Sequence, residues 1–295
     1  MSGVVIADAA AFWPGGRGVA ALAAAVAAQG GRQSPTGGPD AAPARFADAD
    51  LGAALTMRGL RPLSRTARLA MVAAVDIWPS AGASTTRDAI VLGSRWAGVE
   101  PLADFVRQAA MHGPDMVFPM AFPNTVASVH AGYVAILLGI PGANITVCGR
   151  ESGREAFARG VSLIEADRAD RVLVLAADAA EAAVVAGDPT AAEAAGALLL
   201  VSDTTFLAEH RRPLARVESW RLDRPDSLGL DASRAAADDG PDAALDQVVG
   251  ECGAAAGLLA LALAAHEVGR TNTSRRPSGP CGVRGHLSVT LAPFE

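Results

Sequence analysis

The chain has 295 residues, of which 51% are apolar and 19% charged, enough for a sizeable core and incompatible with general disorder. A net charge of −6 argues against nucleic acid as a partner, and all 25 basic residues are arginine, which removes any mechanism built on a lysine Schiff base or a phosphate-loop lysine. Three scattered cysteines (Cys148, Cys252, Cys281) without CxxC or Cys/His ligand spacing imply neither a structural metal nor a disulfide framework.

Residues 4–6 read as a short buried strand, followed by WPGG and a helix over 18–29. The GG, SPTGG and PDAAP text within 30–50 predicts a loop. Helical spacing of apolar residues returns at 65–77, a buried strand at 89–93 (AIVLG) and a helix at 101–111. A long, mostly apolar helix is predicted over 126–138, closed by Gly139. Then come a strand at 144–147 (NITV), a helix at 152–166, and strands at 172–176 and 197–201. Residues 222–243 are polar and predict a surface connection, followed by an apolar helix at 254–265 and a last strand at 287–291. Continuous apolar strands separated by helices predict an α/β fold, with a parallel or mixed sheet covered on both faces. The alanine-rich runs at 19–28 and 254–265 are too short to span a bilayer. No basic residue precedes Arg17, a poor secretory signal, so a cytoplasmic protein without a membrane segment is expected.

At 119–147 the chain reads PMAFPNTVASVHAGYVAILLGIPGANITV, which resembles the ketosynthase branch of the thiolase superfamily, in particular the chain-length-factor-like and ketosynthase-like proteins of bacterial polyketide pathways. Further pieces are similar and fall in order: GVVIADAAAF at the first strand, RPLSRTARLAM, DAIVLGS, RADRVLVLAAD, GECGAAAGLLAL and the terminal CGVRGHLSVTL. The resemblance covers nearly all of 1–205 and two later islands. It implies one thiolase-like domain over 1–295, layered α-β-α-β-α, with a fuller first half (1–205) and an abbreviated second half (206–295).

The resemblance also implies a cysteine thiolate at a strand-to-helix turn, where a helix amino terminus lowers its pKa, and two histidines that serve the condensation. Here that turn reads Thr146-Val147-Cys148-Gly149-Arg150-Glu151-Ser152-Gly153, and the nucleophile position falls on Arg150 or Glu151 according to the anchor chosen. Neither side chain accepts an acyl group from a thioester. Glu251 stands at one histidine position, and no HGTGT-like segment occurs between 203 and 250. Cys148 is the fallback nucleophile, or else a small buried hydrophobe. Glu151 is expected to cap the helix, and Ser152 has no legible Ser–His–Asp partners. His130 is expected to be a hydrogen-bonded core or interface residue and His210 a surface residue; His266 is expected to close the alanine-rich helix. His112 and His130 flank the stretch that would form a pocket.

The resemblance further implies that Phe118, Phe122, Asn124 and His130 border an acyl tunnel. It places Asn144, Ile145, Thr146 and Val147 on a strand that pairs across a dimer axis. The leading reading is a non-catalytic subunit that joins an active ketosynthase in type II polyketide or polyene synthesis, receives chains from an acyl carrier protein, and needs neither cofactor nor metal. Two others stay open: a divergent thiolase-fold acyltransferase active in its own right through Cys148, and a homodimeric scaffold.

Overall fold

The computed structural model describes residues 3–28, 45–56, 58–60, 63–78, 85–185, 192–208, 213–223, 245, 248–249, 252–281 and 285–294. Its strands are β1 (Val4–Trp13), β2 (Gly16–Arg17), β3 (Asp88–Ser94), β4 (Asn144–Cys148), β5 (Arg171–Asp178), β6 (Ala194–Ser202), β7 (Ala215–Asp223), β8 (Ser278–Cys281) and β9 (Gly285–Ala292). Its helices are α1 (Val19–Ala28), α2 (Asp48–Ala54), α3 (Arg65–Ile77), α4 (Val99–His112), α5 (Ser128–Leu138), α6 (Ser152–Glu165), α7 (Ala180–Val185), α8 (Asp203–Ala208) and α9 (Ala254–Thr271).

One sheet carries the order β4-β3-β5-β6-β1-β7-β9-β8, with β2 paired to β1. The strands β4, β3 and β5 are parallel, whereas β6 runs antiparallel between β5 and β1. Every residue of β3, β5 and β6 is buried, as their unbroken apolar text requires of strands covered on both faces. Successive side chains alternate between two cores. Val91, Val174 and Leu200 enter the core shared with α6 and α9, while Leu92, Leu173 and Leu199 enter the core shared with α3 and α5. The sheet then curls: Val217 of β7 and Leu287, Val289 and Leu291 of β9 belong to the same core as α6 and α9, so those helices lie sandwiched. Four of the five expected layers are thus present among the described residues.

Ionic pins fix strand to strand and helix to sheet. Arg171 at the start of β5 donates twice to Asp88 at the start of β3, at 2.8 and 2.6 Å. Fully buried Glu193 accepts from Arg65 of α3 and from the backbone N–H groups of Phe46 and Ala180. No helix among the described residues is single, long and apolar enough to cross a membrane.

Several boundaries differ from the sequence expectation. The first strand runs on to Trp13, because Ala9, Ala10 and Ala11 pair with β6 and carry no local stop signal. The helix expected from residue 126 begins at Ser128, after a 3-10 segment at Pro119–Thr125 set at 100° to it. The two segments part at Val126, whose backbone is extended (φ −96°, ψ 124°). The helix from 254 continues to Thr271, so His266 is internal to it and does not close it. Helix α2 lies where a loop is expected, and β7 reaches into the stretch read as a connection. Residues 224–244, most of that stretch, lie outside the described residues.

Candidate active site

The parallel strands β3, β4 and β5 end together at Ser94, Cys148 and Asp178, and α6 and α9 both begin beside those ends. In open α/β sheets this carboxyl edge is where ligands bind. Ser94 is the register partner of Cys148, and its carbonyl accepts the Gly149 N–H at 3.2 Å. The helix starts sit very close to the sheet and to each other. A Cβ on Gly93 would stand 2.5 Å from the Ser152 carbonyl oxygen, and one on Gly153 would stand 2.0 Å from that of Ala254. Only glycine allows the first turn of α6 to fit between β3 and α9.

Asp178 ties these elements together. One carboxylate oxygen accepts from Ser94 Oγ and the Arg95 N–H, both at 2.8 Å, and from the Trp96 N–H at 3.2 Å. The other accepts the Ala254 N–H at 2.8 Å, capping α9 from outside the helix. Full burial pushes its pKa up to about 6, against the downward pull of the four donors.

The turn at the head of α6 holds a charged cluster. Glu151 occupies the N-cap position but makes no side-chain cap bond; its carboxylate instead accepts from Arg154 Nη1 at 3.2 Å and lies 3.9 Å from Arg150 Nε. The capping expectation for Glu151 therefore fails, because Arg154, at helical i,i+3 spacing, offers a stronger ionic partner. Arg154 is itself buried, at 4% exposure, whereas Arg150 is exposed. Cys148 is exposed at the end of β4, which overturns its reading as a buried hydrophobe. Desolvation first, and the Asp178 carboxylate second, push its thiol pKa up, the opposite of what an acyl-accepting thiolate needs. Ser152 Oγ is buried without a hydrogen-bond partner, so no base activates it. Glu251 and His210 lie outside the described residues.

No family model matches the chain, and no curated protein matches it. Solved structures do. The chain is similar to the ishigamide ketosynthase/chain length factor (22% identity, TM-score 0.73, 99% of this chain and 100% of that one). It is similar to a type II polyketide synthase complex, AntDE:AntF, of an acyl-carrier protein with its ketosynthase bound to the hexaketide (14%, TM-score 0.81, 100% of both chains). It is also similar to a β-ketoacyl synthase from Burkholderia phymatum STM815 (14%, TM-score 0.71, 100% of both chains). The chain has a thiolase-type ketosynthase fold.

Within this ketosynthase fold the remaining sequence-derived residues separate into two groups. Asn144, Ile145, Thr146 and Val147 lie on β4, the terminal strand of the sheet, paired among the described residues to β3 alone. Asn144 is exposed and the other three are half-buried. Beside this edge, α4, the 3-10 segments and α5 expose a belt of large apolar side chains. It includes Met111, Met116, Phe118 (64% exposed), Met120, Phe122 (59%) and Ile136. Phe118 and Phe122 therefore face outward in the single chain, Phe122 meeting Phe105 edge-on at 5.8 Å. Asn124 instead borders a small cleft with Ser64, Glu100 and Phe105. His130 is buried as expected, its Nδ1 3.0 Å from the Ala127 carbonyl oxygen, and desolvation lowers its pKa. His112 is exposed at the end of α4. Ser94 and Arg154 have no place in the sequence reading. For Arg154 the available signal is its i,i+3 spacing from Glu151.

Proposed function

We propose that this chain is a non-catalytic ketosynthase-like subunit, acting in the manner of a chain length factor. It pairs with an active ketosynthase in type II polyketide synthesis, in the cytoplasm, and shapes the tunnel into which an acyl carrier protein delivers the growing chain. The observation that carries this reading is the turn between β4 and α6. Where a ketosynthase presents a thiolate, this chain presents Arg150 and a Glu151 carboxylate engaged by buried Arg154. Neither group forms a thioester, and the nearby thiol of Cys148 is shifted away from the thiolate.

The edge of the sheet supports the partner. A strand whose outer edge is open among the described residues, beside an apolar belt, is an aggregation liability unless another chain covers it. Covering β4 together with Phe118, Met120 and Phe122 fits an interface well above ~1,000 Å². The partner would contribute the cysteine and histidines for decarboxylative condensation, and this chain would contribute the wall.

Co-expression with an active ketosynthase tests the reading. Expected are a stable 1:1 complex that condenses malonyl and acyl chains on an acyl carrier protein, and an isolated chain that takes up no acyl group by mass spectrometry. A stoichiometric acyl adduct on Cys148 of the isolated chain overturns the non-catalytic reading in favour of an acyltransferase. A stable homodimer that refuses the ketosynthase leaves only a scaffolding role.

A further inference from the structure

A second cleft lies between α1, α6, α9 and β9. Its volume is about 480 Å³, within the range of ~300–1,000 Å³ common to small-molecule sites. Sequence explains why it is open. The facing surfaces of α1 and α9 present Ala23 and Ala27 against Ala260 and Ala264, and these short side chains leave the space between the helices unfilled. Val26, Leu261, Leu263 and Leu287 complete a mostly apolar lining, to which buried Arg154 of α6 and His266 of α9 also contribute.

The mouth has the opposite character. Arg270 on the last turn of α9 and Arg275 and Arg276 after it bring three guanidinium groups to the rim, against one carboxylate, Glu267. Glu267 is committed to Arg275, which with other nearby cations holds its pKa below the usual carboxylate range. Among the described residues neither Arg270 nor Arg276 enters an ion pair, and both are exposed. Such a concentration of cations is out of keeping with a chain whose net charge is −6. It also opposes the negative end of the α9 dipole, so the rim stays attractive to an anion.

We propose that this cleft binds an anionic amphiphile, with a flexible apolar tail along the alanine–leucine floor and a single carboxylate or phosphate at Arg270 and Arg276. The tail supplies transfer free energy from water, and the planar guanidinium forks match an oxyanion's geometry. A neutral amphiphile of equal length gains the first term without the second. Arg154, which engages Glu151 at the β4–α6 turn, also lines this cleft, whereas none of the apolar-belt residues does. The inference rests on the arginine rim and the apolar lining, not on the function proposed above.

Isothermal titration calorimetry on the purified full chain, below micelle-forming concentrations, tests it with sodium decanoate, decyl phosphate and decanol. Decanoate or decyl phosphate is expected to saturate one site, with decanol at least about tenfold weaker, the charge-assisted contribution expected of such a contact. The stronger of the two anions identifies the headgroup. Affinity should rise by up to about fourfold per added methylene from octanoate until the cleft is full. The double variant Arg270→Ala/Arg276→Ala, on exposed positions that leave the core intact, should bring the anion down to the affinity of decanol. Ala264→Trp, which fills the cleft, should abolish binding of both while the circular dichroism spectrum is retained. Equal binding of decanol and the anions, unchanged affinity in the arginine variant, or no saturable binding by any probe overturns the proposal.

Discussion

Replacing Asp178 by asparagine tests whether burial or hydrogen bonding governs the acid at the heart of the carboxyl edge. Asp178 is fully buried yet surrounded by four donors, and burial prevails, raising its pKa from 3.8 to about 6. The folded state therefore holds its proton more tightly than the unfolded state does. Stability from this group is fully present below pH 3.8 and is lost as pH rises through about 6. The loss by neutral pH amounts to about 3 kcal/mol, at 1.36 kcal/mol per pKa unit. The asparagine side chain cannot ionise, so the variant escapes this loss, but one of its amide hydrogens must face a donor such as the Ala254 N–H, at about 1–3 kcal/mol independent of pH. Urea unfolding of both proteins between about pH 4 and pH 7.5 separates the two effects, since every other titration is common to both chains. Asp178→Asn should be the less stable protein at the acid end. The gap should close by about 2.5 kcal/mol between about pH 4 and pH 7.5, because the unfolded carboxyl is already partly ionised at pH 4. Parallel stability curves, or a gap that widens with pH, would refute the reasoning and show that the donors hold Asp178 ionised throughout.

Gly153→Ala should lower stability by about 1–3 kcal/mol, because its Cβ would meet the Ala254 carbonyl oxygen and force α6 from α9; a thermal unfolding midpoint unchanged from the parent would count against that contact. Cys148, with its raised pKa, should react with iodoacetamide at neutral pH more slowly than an ordinary peptide thiol, followed by mass spectrometry. Faster alkylation would reveal a stabilised thiolate and favour an acyl-accepting role. In an intact complex with a ketosynthase, Phe118→Ala or Phe122→Ala should lengthen the polyketide products; unchanged length with the complex intact removes both residues from the tunnel wall.

The fold was largely legible because its strands are written as unbroken apolar runs. AIVLG, VLVLA and ALLLV each sit in the middle of an all-buried strand, and RTARLAMVAAVDI bounds α3 at both ends. Boundaries failed where the governing force is not local. Strand β7 (ARVESWRLD) alternates polar and apolar residues because only one face enters a core, and its pairing with β1 and β9 joins segments far apart in sequence. The bend before α5, at the extended Val126, lies at the head of mostly apolar text that carries no stop signal. The site was legible as a position and illegible as chemistry. Sequence located the turn at 146–153, but not the burial of Arg154 or its capture of Glu151, which depend on where α9 lies.

That division bears on what holds the carboxyl edge together when no cysteine stands at 150 or 151. The carboxyl edge is held by Asp178 bonding to Ser94, Arg95, Trp96 and Ala254, and by backbone contacts that only Gly93 and Gly153 permit. None of these contacts passes through the side chain at 150 or 151, so a substitution there leaves the architecture standing. What changes is the electrostatics. A helix amino terminus carries a partial positive charge that favours an anion beside it. In a ketosynthase that anion is the thiolate; here the Glu151 carboxylate lies at the same helix end, neutralised further by Arg154 and Arg150. That carboxylate, engaged by Arg154, cannot accept an acyl group. The open edge of β4 and the apolar belt are the surface on which the proposed partner would sit.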